Sequence, residues 1–359
     1  LIIDKVRGFL ETEGFDGLLL RKRNNFSWVT QGRYNHIVQT TELGVADLLI
    51  TPDEVYLITS KMEERRLVEE ECAQLPYEVK VLADDWYEDI DQLIHKAGEG
   101  KRMATDSPFS DWEVVEQELV KIRSILSELE QNKYRELCQR AALAVEETCY
   151  EIEQGQTEHE IEAHLAAKVL AQGIRIQVTL VATDDRIYKY RHPIPTNKPL
   201  EKHAMIVLCA ERHGLVANVT RFVHFGDLSR ELQVHKEKAA RIDAVMNNAT
   251  MPGVTAGEVI RAGISQYEKE GFPNDWKLLH QGGLTGYSSR EFLADPETPA
   301  KIEVNQAYAW NPSLPGVKSE DTILVKEEGI DFLTHTNRWV YQNITVDQKI
   351  YKRPDILIR

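Results

Sequence analysis

Apolar and polar positions alternate along this chain in two different periods, and the switch between them divides it. Residues 2–13 carry a helical repeat, with Leu1-Ile2-Ile3 and Val6 set against Asp4, Lys5, Arg7, Glu11 and Glu13. Gly14-Phe15-Asp16-Gly17 reads as a turn into a buried strand at Leu18-Leu19-Leu20. Residues 46–51 and 55–59 flank Pro52-Asp53-Glu54 as a hairpin. Helix is predicted over 61–73, a strand over 79–82, helix over 86–97 and a strand over 103–106. This alternation predicts a small α/β unit.

From about residue 112 to 154 the pattern is helical, and it turns polar near Ser127–Asn132. The helix that follows places Tyr134, Leu137, Cys138, Ala141, Val145 and Thr148 on one side. Thr157-Glu158-His159-Glu160 has the S/T-x-x-E form of a capping box and predicts a helix over 158–172. After Gly173 strands dominate, at 176–182, 204–210, 214–219, 221–225, 307–311 and 321–326, with helices at 230–249 and 255–270 between them. Strands grouped with helices on one side predict α+β for the second half.

Composition narrows the function. Of 359 residues, 42% are hydrophobic, enough for a packed core. Lys+Arg is 43 against Asp+Glu at 58, a net charge of -15, so neither nucleic acid nor an anionic membrane is an expected partner. No apolar run approaches the ~20 residues of a membrane span. The first residues read as an amphipathic helix and not a signal peptide. Cys72, Cys138, Cys149 and Cys209 form no C-x-x-C pair and resemble reduced cytosolic thiols, so a cytoplasmic protein is expected.

Four polar stretches in the second half are candidates for chemistry. They are Tyr190-Arg191-His192-Pro193; Gly214 to Arg221; His280-Gln281-Gly282-Gly283 through Arg290-Glu291; and Trp310-Asn311-Pro312 with Glu320-Asp321 nine residues on. The glycines allow close backbone approach, either in a tight turn or in a site wall, and G-K-[ST] is absent. The eleven histidines include no H-E-x-x-H. Glu160 and His164 share a helix face as an exposed pair, and Glu158, Glu160 and Glu162 read as a solvated acidic face. His203, His213, His224 and His235 read as strand-end and surface residues. No G-x-S-x-G elbow is present.

In this order, the stretches resemble the pita-bread family of creatinase, aminopeptidase P, prolidase and methionine aminopeptidase. Asn24 to Gly32 is similar to the family's "N-x-x-Y-L-T-G", Gly214 to Arg221 to "G-Y-x-S-D-x-T-R", and Gly316 to Asp321 to "G-x-R-x-E-D". The resemblance implies an N-terminal creatinase/prolidase-like α/β domain over 1–127 and a C-terminal pita-bread domain over 128–359. Active family peptidases hold two metals with two Asp, one His and two Glu. Those positions fall here on Val207 (Cys209 or Glu211 with a local gap), Asn218, Gly283 (His280 with a gap), Asn311 and Glu320. Only Glu320 keeps the family residue, so no metal pair and no other cofactor is expected.

Creatinase shows that this fold can hydrolyse a C–N bond without metal. By the resemblance His192 is the candidate base, Arg290 replaces a second family His beside Glu291, and Lys318 replaces the Arg of "R-x-E-D". His192, Glu320 and Arg290 are therefore the expected catalytic groups. Asn218, Arg221, Glu291, Asn311 and Lys318 are expected to bind substrate, with the cations suited to a carboxylate or else paired with Glu320, Glu291 and Asp321. In family dimers the N-terminal domain reaches toward the partner's pocket, so Trp28 and His36 are expected either to line the site or to pack in the core. The expectation is a metal-independent hydrolase of a small carboxylate-bearing C–N compound acting as a homodimer. An inactive module binding a small molecule or short peptide is the alternative, and an Xaa-Pro metallopeptidase conflicts with the ligand count.

Overall fold

Ser127 shows how the sequence starts its longest helix. Its hydroxyl accepts from the Glu130 backbone N–H, and the Glu130 carboxylate accepts from the Ser127 N–H at 2.8 Å, which satisfies two of the helix's free amides. The helix runs Glu128–Glu151 and buries Tyr134, Leu137, Cys138, Ala141, Val145 and Thr148, the side its periodicity selects. Thr157 and Glu160 close the same box on Glu158–Leu170, and Thr255 and Glu258 close it on Ala256–Lys269.

The computed structural model describes residues 1–359, which divide into Leu1–Arg123 and Ser124–Arg359. In the first unit a six-stranded sheet has the order 80–84, 55–60, 43–50, 17–22, 103–105, 113–114. The Leu43–Ile50 and Val55–Ser60 strands form the predicted hairpin, with Ile50 opposite Val55. Leu19, Leu49, Ile58, Ile94, Met103 and Phe109 close its core. Gly17 keeps the space tight there, since a Cβ would stand 3.2 Å from the Ile50 carbonyl and would displace the Met103 methyl.

In the second unit two sheets carry the site. One has the order 357–358, 215–224, 203–212, 175–183; the other has 292–293, 282–285, 307–310, 321–326, 329–332. The Glu128–Glu151 helix packs on the two central strands of the first sheet, and the Arg230–Ala249 helix packs on Ala256–Lys269 and on the Tyr341–Pro354 hairpin. Thr322 laces the sheets together. It accepts from the Asn218 N–H at 2.8 Å and donates to the Asn218 carbonyl at 2.9 Å. Strands and helices are segregated as the α+β expectation requires. No helix is long and apolar enough to cross a membrane.

Several expectations fail for physical reasons. The break predicted at residue 220 does not occur, because Leu215–His224 is one strand in which Thr220 pairs with Val207, while the break after 210 falls two residues later, between Arg212 and Leu215. The 86–97 helix begins at Asp91, and the 61–73 helix changes to a π-helical turn over Leu67–Cys72. Glu158 is not on a solvated face. It is fully buried, accepting from the backbone N–H and hydroxyl of both Thr183 and Thr196, with Arg186 as its ion partner. His164 pairs with Glu151 at 2.8 Å, while Glu160 serves the cap. His203, His224 and His235 are buried, with His203 Nε2 3.0 Å from the Gly316 carbonyl.

Within the chain, Trp28 and His36 are both buried. Trp28 is fully buried in the short Arg23–Val29 helix, where its indole fills the core of the first unit, and His36 is buried against Arg23 at 2.8 Å.

Candidate functional site

Two rows of the first sheet form a wall. Leu180, Val207 and Thr220 stand in register across three strands, and Val178, Cys209 and Asn218 form the next row. Strand alternation puts all six side chains on one face. The face is aliphatic at the edge strand and polar toward Leu215–His224, and its aliphatic part borders a cavity of about 360 Å³. Ile194 and Leu279 complete the apolar lining.

The opposite wall is polar. His192, His280, Arg290, Asn311, Lys318 and Glu320 all line the same cavity. Glu320 is at its centre. One carboxylate oxygen lies 3.1 Å from an Arg290 terminal nitrogen; the other lies 2.6 Å from Lys318 Nζ and 2.8 Å from the Thr220 hydroxyl that donates to it. Burial pushes the Glu320 carboxyl up, but Lys318 and Arg290 outweigh it and hold the group at about 2. The same Arg290 nitrogen donates to Asn311 Oδ1 at 2.8 Å, and Asn311 Nδ2 donates to the His280 carbonyl at 2.6 Å. Residues 280, 290, 311 and 320, scattered in sequence, thus form one connected cluster.

The two imidazoles face each other with ring centroids 5.7 Å apart. Burial, then Arg290, pushes His280 down to about 4. Burial, then Lys318, lowers His192 as well. Both are neutral at pH 7, so the cavity carries two cations, one carboxylate and neutral proton acceptors. Arg290 Nε and His280 Nδ1 are buried there without a hydrogen-bond partner.

The glycine-rich stretch divides: Gly286 lies in the connection between two antiparallel strands, and His280, Ser289 and Arg290 line the cavity. Gly282–Thr285 is a strand in mid-sheet, and a Cβ on Gly282 or Gly283 would come within 2.0 or 2.1 Å of the carbonyl of Ala309 or Phe292. The backbone pairing there excludes any side chain, and His280 and Arg290 are held at either end of the segment.

Three expected site residues are placed elsewhere. Arg221 is fully buried, with its guanidinium 3.0 Å from Asp321 and 3.2 Å from Glu146, so its charge is matched inside the core and does not reach a ligand. Asn218 is also fully buried, and its amide donates to the Thr285 hydroxyl at 3.0 Å. The Glu291 carboxylate turns back to accept from the Tyr287 N–H at 3.0 Å. Sequence reasoning missed the apolar wall and the clamp from Thr220. The alternation of Val178 and Leu180 with Gln177 and Thr179 was its only available signal. No group of three or more His, Cys, Asp or Glu side chains is placed to hold a metal ion.

A family model described as metallopeptidase family M24 matches residues 132–327, and one described as the creatinase/prolidase N-terminal domain matches 2–131. An Xaa-Pro dipeptidase of Pyrococcus horikoshii is 22% identical over 353 residues, covering 94% of this chain and 97% of that protein. An uncharacterized peptidase of Staphylococcus saprophyticus is 24% identical over 235 residues, which span 61% of this chain and 65% of that protein. The crystal structure of the prolidase from Pyrococcus horikoshii superposes with a TM-score of 0.78 at 20% identity, covering 93% of this chain and 98% of that one. The likeness carries the fold, an α+β pita-bread architecture behind a creatinase-type N-terminal domain.

Proposed function

We propose, on the premise that the chain belongs to metallopeptidase family M24, that it is a peptidase-like member acting on a small carboxylate-bearing C–N compound without the family's pair of metal ions. One observation carries this reading. Asn311 and Glu320, the two positions where the family resemblance places metal-binding glutamates, are both bonded to the Arg290 guanidinium, and Lys318 takes the second oxygen of Glu320. Fixed side-chain cations stand at the polar end of the cavity. The donor set does not fit a dinuclear centre: Val207 cannot ligate, Gly283 has no room for a side chain, and Asn311 is neutral and already bonded. A lone carboxylate neutralised by Lys318 and Arg290 cannot offset four positive charges.

The reaction that suits these groups is hydrolysis of an amide-type bond. Neutral His192 takes a proton from water as the oxygen adds to the carbonyl carbon. Arg290 stabilises the oxyanion, which leaves Lys318 to hold the substrate's carboxylate. The C–N bond then breaks, and the leaving amine takes the proton back from the imidazolium, giving a carboxylate and an amine. Glu320, held at about 2, stays ionised and orients the two cations; it is not a proton donor at neutral pH.

A binding-only reading rests on that same locked carboxylate, because with Glu320 committed the cavity keeps one proton-transfer pair, His192 and His280, and no carboxylic acid. The test is direct. Purified protein is incubated with Mn, Co or Zn, its metal content is measured, and a panel of small carboxylate-bearing amides is assayed with and without a chelator. Turnover that survives chelation and is lost in His192→Ala is expected. Binding without turnover selects the second reading. Two equivalents of bound metal with metal-dependent cleavage of Xaa-Pro dipeptides would overturn both.

A further inference from the structure

The same cavity restricts the charge and shape of what it takes, an inference that rests on the small-carboxylate reading above. Its polar end holds Arg290, Lys318 and Glu320, one positive charge in excess with both imidazoles neutral. Both oxygens of Glu320 are already engaged, by Arg290 on one side and by Lys318 and Thr220 on the other. A ligand's free ammonium would find no uncommitted carboxylate here and would be held beside two cations. A ligand's carboxylate would find an excess cation.

The far end is the opposite. Val178 and Leu180 on the edge strand, with Ile194 and Leu279, offer aliphatic surface and no charge. Ile194 is 67% exposed, so apolar area is available for a ligand to cover. The volume of about 360 Å³ lies in the small-molecule range.

We infer that the ligand is a monocarboxylate whose nitrogen is blocked, of the N-acyl amino acid class with an aliphatic side chain. Its carboxylate meets Lys318, its amide carbonyl faces Arg290, and its side chain lies on Val178, Leu180 and Leu279. A free dipeptide, which carries an ammonium, is discriminated against.

Calorimetric titration of the wild-type protein with four probes tests this. N-acetyl-L-leucine is expected to bind, and N-acetylglycine to bind about tenfold or more weakly for loss of the buried aliphatic group. N-acetyl-L-leucinamide, without the charge, and leucylglycine, with the ammonium, are each expected to fall by about tenfold or more. Val178→Thr, nearly isosteric, should narrow the leucyl-to-glycyl ratio while leaving the carboxylate-to-amide ratio in place. Leucylglycine binding as tightly as the acetylated probe, or an amide as tight as the acid, overturns the inference and leaves the small-ligand reading standing. If a folded protein binds none of the four, both fail together.

Discussion

Glu320 and Asp321 are neighbours in sequence and both carboxylates are buried, yet they belong to different regions of the molecule. Asp321 begins the Asp321–Lys326 strand and sits in a sealed network. Arg221 lies 3.0 Å away, Arg353 2.8 Å, and the Thr334 hydroxyl donates at 2.6 Å; Arg353 in turn reaches Asp243 at 2.6 Å. Burial pushes Asp321 up, but the two guanidinium groups outweigh it and hold the group well below the ordinary range. Glu320 points the other way, into the cavity, where its two cations border open space. The first cluster is closed on itself and serves the fold. The second lines a cavity, and fixed charges at a cavity wall are where a ligand finds its partner.

The largest expected effect breaks the sealed side. Asp321→Asn leaves Arg221 and Arg353 buried with one counter-charge fewer, and a loss of about 3–5 kcal/mol in denaturant unfolding is expected. Glu320→Gln should cost only about 1–2 kcal/mol, since Lys318 and Arg290 border the cavity and can hydrate. The same variant should bind N-acetyl-L-leucine more tightly, because both cations become available. Equal losses in the two variants would erase the distinction between the regions.

Acid gives an intermediate test. With Glu320 at about 2 and Asp321 well below its ordinary value, neither carboxylate titrates between pH 6.5 and 4. His203 does, because burial lowers it to about 4 in the folded state. The unfolded chain takes up that proton first, so stability falls as pH drops from 6.5 toward 4, by about 3 kcal/mol for this group. Asp243, raised to about 6 chiefly by burial, works in the opposite sense, gaining a proton in the folded state first. The measurement is therefore a difference: wild type should lose stability relative to His203→Asn across this window. Parallel pH profiles would show that His203 carries none of the acid response.

The smallest effect sharpens the comparison with a third carboxylate. Glu158 is as buried as Asp321, but it straps the segment that brings His192 and Ile194 to the cavity. Thr196 donates to it twice, and Arg186, its ion partner, also donates to the Ile194 carbonyl at 2.9 Å. Glu158→Gln should cost about 1–2 kcal/mol. It should also speed hydrogen exchange of the Thr196 and Lys198 amides while exchange in the Asp321–Lys326 strand stays unchanged. A loss of protection spread over the whole second unit would place Glu158 with the sealed network instead.

The chain's own periodicity determined much of this protein. Helices at 2–13 and 230–249 and the strand at 321–326 fall where the pattern puts them, because apolar spacing and capping residues act through neighbours a few positions away. His192, Arg290, Asn311, Lys318 and Glu320 were legible as candidates because polar groups at strand ends and loops are conspicuous in one dimension. Their joining was not. Arg290 reaches Asn311 across 21 residues and Glu320 across 30, and only the packing of strands sets those distances. The sides taken by Arg221 and Asn218, and the burial of Glu158, were decided the same way. A charged residue reads as solvated until the fold supplies its partners, and partners supplied by distant strands leave no local trace in the sequence.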